Sequence, residues 1–107
     1  MPLIKLEYDN NEVTDVDAKI LSEAIRVIVS EVTSIDDVFV YANYSKIKVQ
    51  VAPIEIFVEM TASKIVDENI LINQIKTKLR EWKQRVNFNH LINLTIIPMN
   101  WKVEIGI

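Results

Sequence analysis

The order of predicted secondary structure repeats within this 107-residue chain. A strand, a helix and a strand fill residues 1–52, and a second strand, helix and strand fill residues 53–107. Parallel strands joined through a helix take a right-handed crossover, so both helices pack on one face of the sheet. The sequence therefore predicts one α/β domain over residues 1–107, a two-layer sandwich of βαββαβ order. Its sheet is four-stranded and mixed, and its two helices share one face.

The segment PLIKLEY, which follows Met1, has the alternating pattern of a half-buried strand. Further strands are predicted at about Val38–Tyr44, from Pro53 along PIEIFVEM, and at about Leu91–Ile97. Ile47–Val51 and Trp101–Ile105 also alternate, and we expect two short strands there that pair across subunits.

Two segments have helical spacing. The first spans Asp15 to Val32, and Thr14 with Asp17 forms a predicted capping box at its start. Its predicted buried side consists of Val16, Ile20, Ala24, Val27 and Ile28. The second spans about Asp67–Arg85. Its predicted buried stripe consists of Leu71, Ile75, Leu79, Trp82 and Val86.

Composition excludes several classes of function. Gly106 is the only glycine, which argues against glycine-rich phosphate and dinucleotide loops. Without cysteine there is no disulfide, thiolate nucleophile or sulfur-ligated metal. The net charge of −3 lacks the basic footprint of a nucleic-acid binder. One basic run is interpreted as the solvated face of the second helix: Lys76, Lys78, Arg80, Lys83 and Arg85.

No cofactor or metal is expected, and His90 is interpreted as an exposed loop residue. Glu55 and Glu59 fall on one strand face with Lys5 across from them, which favours a surface charge ladder over a catalytic carboxylate pair. The early charged residues exclude a signal peptide, and no apolar run reaches membrane-spanning length, so we expect a cytoplasmic protein without a membrane partner.

Several short motifs together resemble the tautomerase superfamily, which includes oxalocrotonate tautomerase and macrophage migration inhibitory factor. They are the opening Met1-Pro2 before a strand, the two βαβ units, and Pro98–Asn100 after the last long strand. The segment PIEI from Pro53, with Ile97-Pro98, is most similar to an uncharacterised bacterial branch. The resemblance covers nearly the whole chain.

This resemblance implies a homo-oligomer, usually a trimer, and a proline that acts as a general base after Met1 is removed. Pro2 is therefore the candidate catalytic residue, for keto-enol tautomerisation of a small 2-oxo acid. The candidate substrate-binding residues are Lys46, Lys48, Asn43 and Trp101. For Trp101 the alternative interpretation is an interface aromatic.

The sequence departs from the family where catalytic members place cations. The first loop, DNNEVTD, is acidic, and Ser34 and Phe39 stand where a lysine or arginine is expected. A negative surround raises the pKa of an amine and repels an anionic substrate. The alternative is therefore a non-catalytic oligomeric structural or small-ligand-binding protein of the same fold. A ferredoxin-like small-ligand module is a third possibility, because it shares the βαββαβ order.

Overall fold

The centre of the sheet comes from the two most regularly alternating segments of the sequence. A computed structural model describes residues 1–107. Its elements are β1 (Leu3–Tyr8), α1 (Asp15–Thr33), β2 (Phe39–Asn43), β3 (Ile54–Thr61), a 3-10 turn (Ala62–Lys64), α2 (Glu68–Val86) and β4 (Asn93–Met99). The strand order is β2-β1-β3-β4, with β1 parallel to β2, β3 parallel to β4, and β1 antiparallel to β3. The predicted mixed sheet with two helices is confirmed.

The core lies between one face of the sheet and the two helices. Alternate residues of β1 and β3 point into it and are buried: Ile4, Leu6, Tyr8, Ile54, Ile56, Val58 and Met60. Burial of each large aliphatic side chain stabilises the fold by about 1.5–3 kcal/mol. The remaining residues of these strands form the second face of the sheet, which no helix covers. We call it the open face.

The residues of the open face stand in three rows across the four strands. Each row runs from β2 through β1 and β3 to β4. The rows are Phe39, Leu3, Glu59 and Ile97; Tyr41, Lys5, Phe57 and Thr95; and Asn43, Glu7, Glu55 and Asn93. Lys5 Nζ lies 3.1 Å from Glu59 Oε2, which confirms the predicted charge ladder for this pair.

The predicted buried side of α1 was largely wrong. Val16, Ile20 and Val27 are exposed by 67%, 44% and 43%. The buried residues are Ala18, Leu21, Ile25, Ile28 and Val29. This helix carries apolar residues on two neighbouring stripes, and packing against the sheet decides which stripe is buried. The α2 stripe is confirmed for Ile75, Leu79 and Trp82, whereas Val86 is 46% exposed.

Neither predicted short strand forms within the chain. Residues 47–51 and 101–105 have no sheet pairing. Ile47 and Val49 are 90% and 102% exposed, and Ile105 is 80% exposed. A strand needs a hydrogen-bonding neighbour, and a single chain supplies none to either segment. No helix has both the length and the apolar character needed to cross a membrane.

His90 is half-buried rather than exposed. Its Nε2 lies 3.2 Å from Asp17 Oδ2, and its ring packs edge-on against Phe88 with centroids 5.1 Å apart. The loop interpretation failed because it considered only the polar neighbours in sequence. In the fold, this loop returns to the start of α1, where Asp17 contacts His90. The buried Phe88, two residues before His90, supplies the other contact.

Candidate active site

Pro2 lies directly before β1, and its side chain is fully buried. Its carbonyl oxygen accepts a hydrogen bond from the N–H of Phe39 at 3.2 Å. Because Leu3 pairs with Glu59, the antiparallel register places Pro2 beside Met60. Glu59 is the one buried charged residue of the chain, 7% exposed, and Lys5 neutralises it. Pro2 therefore lies in a largely apolar position, one residue before the strand pair that holds the compensated carboxylate.

Trp101 lies at the same end of the sheet as Pro2. Its Nε1 donates a hydrogen bond to Thr61 Oγ1 at 3.0 Å. Thr61 is the last residue of β3 and follows Met60, the register neighbour of Pro2. The indole is half-buried. Of the four candidate substrate-binding residues, Trp101 is the one that a single chain brings to the Pro2 end.

Asn43 and Lys48 lie toward the opposite end of β1. Asn43 pairs in register with Glu7, five residues along the strand from Pro2. At a rise of roughly 3.3 Å per residue, this is a separation of about 17 Å. Lys48 Nζ lies 2.8 Å from Asp9 Oδ1 and also contacts Asn10 Oδ1. Lys46 is exposed on the same segment.

A cavity of about 350 Å³ occupies this second end of the sheet. The side chains that determine its chemistry are Glu7, Tyr8, Ser45, Lys48, Glu55 and Phe57. Glu7 and Glu55 face each other across β1 and β3, and Asn93 Nδ2 donates to Glu55 Oε1 at 3.1 Å. Like charges directly opposite in a sheet are unfavourable. The cavity is therefore negative along one wall, with Lys48 opposing it.

Two pKa shifts occur at this end of β1. The hydroxyl of Tyr8 donates to Asp15 Oδ1 at 2.6 Å. This hydrogen bond, with burial and the negative charge of Asp15, raises the pKa of Tyr8 to about 12. The hydrogen bond from Lys48, followed by that from the Asn11 N–H, lowers the pKa of Asp9 below its usual 3.8. Tyr8 is therefore held as a neutral donor, and Lys48 is held by a carboxylate.

Solved structures identify the arrangement of these strands and helices. A 5-carboxymethyl-2-hydroxymuconate delta-isomerase is 13% identical, with a TM-score of 0.65 over 99% of this chain and 89% of that one. A macrophage migration inhibitory factor-like protein from Entamoeba histolytica is 20% identical, with a TM-score of 0.55 over 96% and 93%. The chain has the fold of the tautomerase superfamily.

A third solved structure has a fold similar to that of this chain. A domain of unknown function from Sebaldella termitidis is 10% identical to this chain, with a TM-score of 0.65 over 100% of this chain and 98% of that one. No protein-family model and no curated protein matches the sequence. The likeness at these identities is one of fold. It establishes the topology around Pro2 and leaves the chemistry to be argued from the residues.

Within this tautomerase fold, the two positions that lack the expected cations have other roles. Ser34 ends α1 in the left-handed conformation, with φ of 58°. Phe39 lies on the open face and is 45% exposed. The acidic first loop is anchored by the Asp9–Lys48 pair. No group of three or more His, Asp or Glu side chains is arranged to hold a metal ion.

Sequence reasoning did not identify three of the polar residues that matter here. Glu59 was recognised only as a charge partner, although it is buried and pairs in register with Leu3, the residue after Pro2. Tyr8 and Asp15 were assigned to a strand and a helix without a link between them. The available signal was a tyrosine at a buried strand position, because a buried hydroxyl usually finds a hydrogen-bond partner.

Proposed function

We propose that this protein is a homo-oligomeric tautomerase that ketonises a small 2-oxo acid, with Pro2 as the general base. The observation that carries the proposal is the position of Pro2. Its ring is buried at the start of a central strand, in a fold shared with a delta-isomerase over 99% of the chain. Release of Met1 converts the Pro2 nitrogen from an amide into a secondary amine.

The environment of Pro2 suits a weak base. Burial among apolar groups lowers the pKa of an amine from roughly 8, because the charged form loses hydration. Glu59 has the opposite effect, but Lys5 compensates its charge. The free nitrogen takes the proton of the enol hydroxyl as the carbonyl forms, and the protonated Pro2 then delivers that proton to the carbon end of the enol, which restores the free base. The reaction moves one proton and requires no other reagent.

Recognition of the substrate carboxylate then depends on more than one subunit. Trp101 is the candidate that lies near Pro2 in the same chain, whereas Asn43 and Lys48 lie toward the other end of the strand. In the proposed trimer, Asn43, Lys46 and Lys48 of one copy serve the Pro2 site of its neighbour. The exposed apolar side chains of Phe39, Tyr41 and Ile47 support such an assembly.

The test begins with intact-mass analysis of untagged protein to establish whether Met1 is removed. Ketonisation of enol phenylpyruvate and 2-hydroxymuconate is then measured for the wild type, Pro2→Ala and Pro98→Ala. Pro98 is an exposed proline of β4 and serves as the matched control. We expect Pro2→Ala to lower kcat/KM by about 100-fold or more, the usual contribution of a general base. Retained Met1, or equal rates for wild type and Pro2→Ala, would contradict the proposal.

A non-catalytic oligomeric binding protein is the second candidate, and one contact favours it. Lys48 is already bound by Asp9 and Asn10, so its charge is not free for a substrate. Under this alternative, the 350 Å³ cavity binds a small polar ligand and Pro2 only begins a strand. Ligand binding by a Pro2→Ala variant that shows no change in any ketonisation rate would support it.

A further inference from the structure

A groove separates the second half of α2 from the segment that leads into β4. Its volume is about 500 Å³. Five aliphatic side chains, among them Leu79 and Leu91, form its apolar surface. Three cations of α2 form its rim: Lys76, Arg80 and Lys83. We call this the α2–β4 groove. It lies between α2 and the start of β4, at the end of the sheet opposite Pro2.

The groove divides the basic run of α2 into two groups. Lys78 and Arg85 face α1, where Lys78 Nζ lies 3.3 Å from Glu31 Oε2. Lys76, Arg80 and Lys83 face the groove. The interpretation of the whole run as one solvated face was therefore too simple. Three of its five members line a concave surface.

The three cations of the groove are not matched by carboxylates. Lys76 and Arg80 form no ion pair, and Lys83 Nζ donates to the His90 carbonyl oxygen at 2.6 Å. Their spacing of four and three residues places like charges next to each other on the helix. Such pairs destabilise a helix by a few tenths of a kcal/mol each. A bound anion removes this repulsion in a protein whose net charge is −3.

The apolar surface of the groove extends away from the cations. Leu91 is 73% exposed at its wall, and Leu79 is buried at its base. An inorganic anion would pair with the cations of the rim but would leave the side chain of Leu91 exposed to water. The groove has the size of small-molecule sites, which occupy about 300–1,000 Å³ and combine apolar lining with a few polar groups. Charge and apolar surface together therefore specify an amphipathic anion.

We propose that the α2–β4 groove binds a small organic anion, with its acidic head group held between Lys76 and Arg80 and its apolar body on Leu79 and Leu91. The head group is a carboxylate or a phosphate, since both accept hydrogen bonds from lysine and arginine. This site is independent of the proposed tautomerase activity.

Binding is tested by calorimetry on the full chain with decanoate and decyl phosphate below their micelle concentrations. Decanol and inorganic phosphate separate the apolar part from the head group. We expect decanoate and decyl phosphate to bind, and the tighter of the two identifies the preferred head group. Decanol and inorganic phosphate should bind at least about tenfold more weakly. Equal affinity for decanol, or for inorganic phosphate, would overturn the proposal, as would no binding of either amphiphile.

Two double variants with the same change in charge locate the site. Lys76→Gln with Arg80→Gln is expected to weaken amphiphile binding about tenfold, whereas Lys78→Gln with Arg85→Gln leaves it unchanged. Leu91→Ser, at an exposed position that does not threaten folding, should weaken binding about fivefold through the loss of apolar contact. Equal losses in both double variants would show a non-specific charge effect. A fall in oligomer mass in the Lys76/Arg80 variant alone would assign the groove to contacts between copies and overturn the proposal.

Discussion

Tyr8 connects the last position of β1 to the first turn of α1. Its hydroxyl donates to Asp15 Oδ1 at 2.6 Å, and its ring packs edge-on against Tyr44 with centroids 5.5 Å apart. The residue is 9% exposed. A single side chain thus joins the sheet, the first helix and the segment that carries the candidate residue Lys48.

We expect Tyr8→Phe to lower the free energy of unfolding by about 1 kcal/mol, because the ring remains and a hydrogen bond to a carboxylate is lost. Urea unfolding at a fixed protein concentration measures this change. Tyr44→Phe is the matched control, since the Tyr44 hydroxyl has no partner within the chain and its ring packing is preserved. Equal stability of Tyr8→Phe and Tyr44→Phe would show that the hydrogen bond contributes little.

The raised pKa of Tyr8 makes the same contact dependent on pH. The pKa of the folded state, about 12, exceeds the usual value of 10.0 because the neutral hydroxyl donates to Asp15. The contribution of this hydrogen bond to the free energy of unfolding is complete below pH 10. It declines as the pH rises toward 12, because the unfolded chain loses the Tyr8 proton before the folded one does. Phenolate absorbance should show one of the three tyrosines titrating late in the wild type. That late titration should be absent from Tyr8→Phe.

At the scale of the elements, both helices of this chain end without a glycine. Ser34 and Asn87 end α1 and α2 in the left-handed conformation, with φ of 58° and 59°. At the other ends, Thr14 Oγ1 accepts from the Asp17 N–H at 3.1 Å, and Asp67 accepts from the N–H groups of two residues. Short polar residues therefore define where both helices begin and end.

Asp67 makes two N-cap hydrogen bonds, whereas Thr14 makes one. Its carboxylate accepts from the Asn69 N–H at 2.9 Å and from the Ile70 N–H at 3.1 Å. We expect Asp67→Ala to lower the free energy of unfolding by about 1–2 kcal/mol. Asp67→Ser, which retains a capping oxygen, should recover most of this loss. Equal losses for alanine and serine, measured by thermal and urea unfolding, would contradict the capping role.

At the scale of the whole molecule, the open face is a side of the sheet that the helices leave uncovered. Leu3, Phe57 and Ile97 are half-buried there, and Phe39 and Tyr41 are 45% and 56% exposed. The exposed apolar residues of segments 47–51 and 101–107 add to this surface. Apolar surface of this extent is typical of an interface between protein copies. The uncovered face therefore supports an oligomer.

Tyr41→Glu places a charge at the centre of the β2 edge of this face. If the face lies between copies, the variant should have a lower mass by light scattering. The protein concentration at which half of the oligomer has dissociated should also rise. Val16→Glu is the control, because Val16 is 67% exposed on the outer side of α1. A wild-type mass equal to one chain would contradict the assembly, as would equal behaviour of the two variants.

Local pattern was sufficient to predict most elements of this fold. Alternation in β1 and β3 and the capping signal at Thr14 depend on residues close together in the chain, so they are visible before folding. The α2 stripe through Ile75, Leu79 and Trp82 has the same local origin. For the site, Pro2 became a candidate through the resemblance that its place before an alternating strand helps to carry, whereas its burial is a finding of the structure.

Other features were decided by contacts between distant residues, which local pattern does not encode. The sheet selected Leu21 and Ile25 over Val16 and Ile20 as the buried stripe of α1. Strand register placed Trp101 near Pro2 but Asn43 at the far end of β1. The segment between β2 and β3 folds back on the first loop, where Lys48 pairs with Asp9. The sequence alone determined the type and order of the two helices and four main strands, because these depend on neighbours along the chain. Only the tertiary structure decided which faces and charges meet, because that depends on how the elements pack.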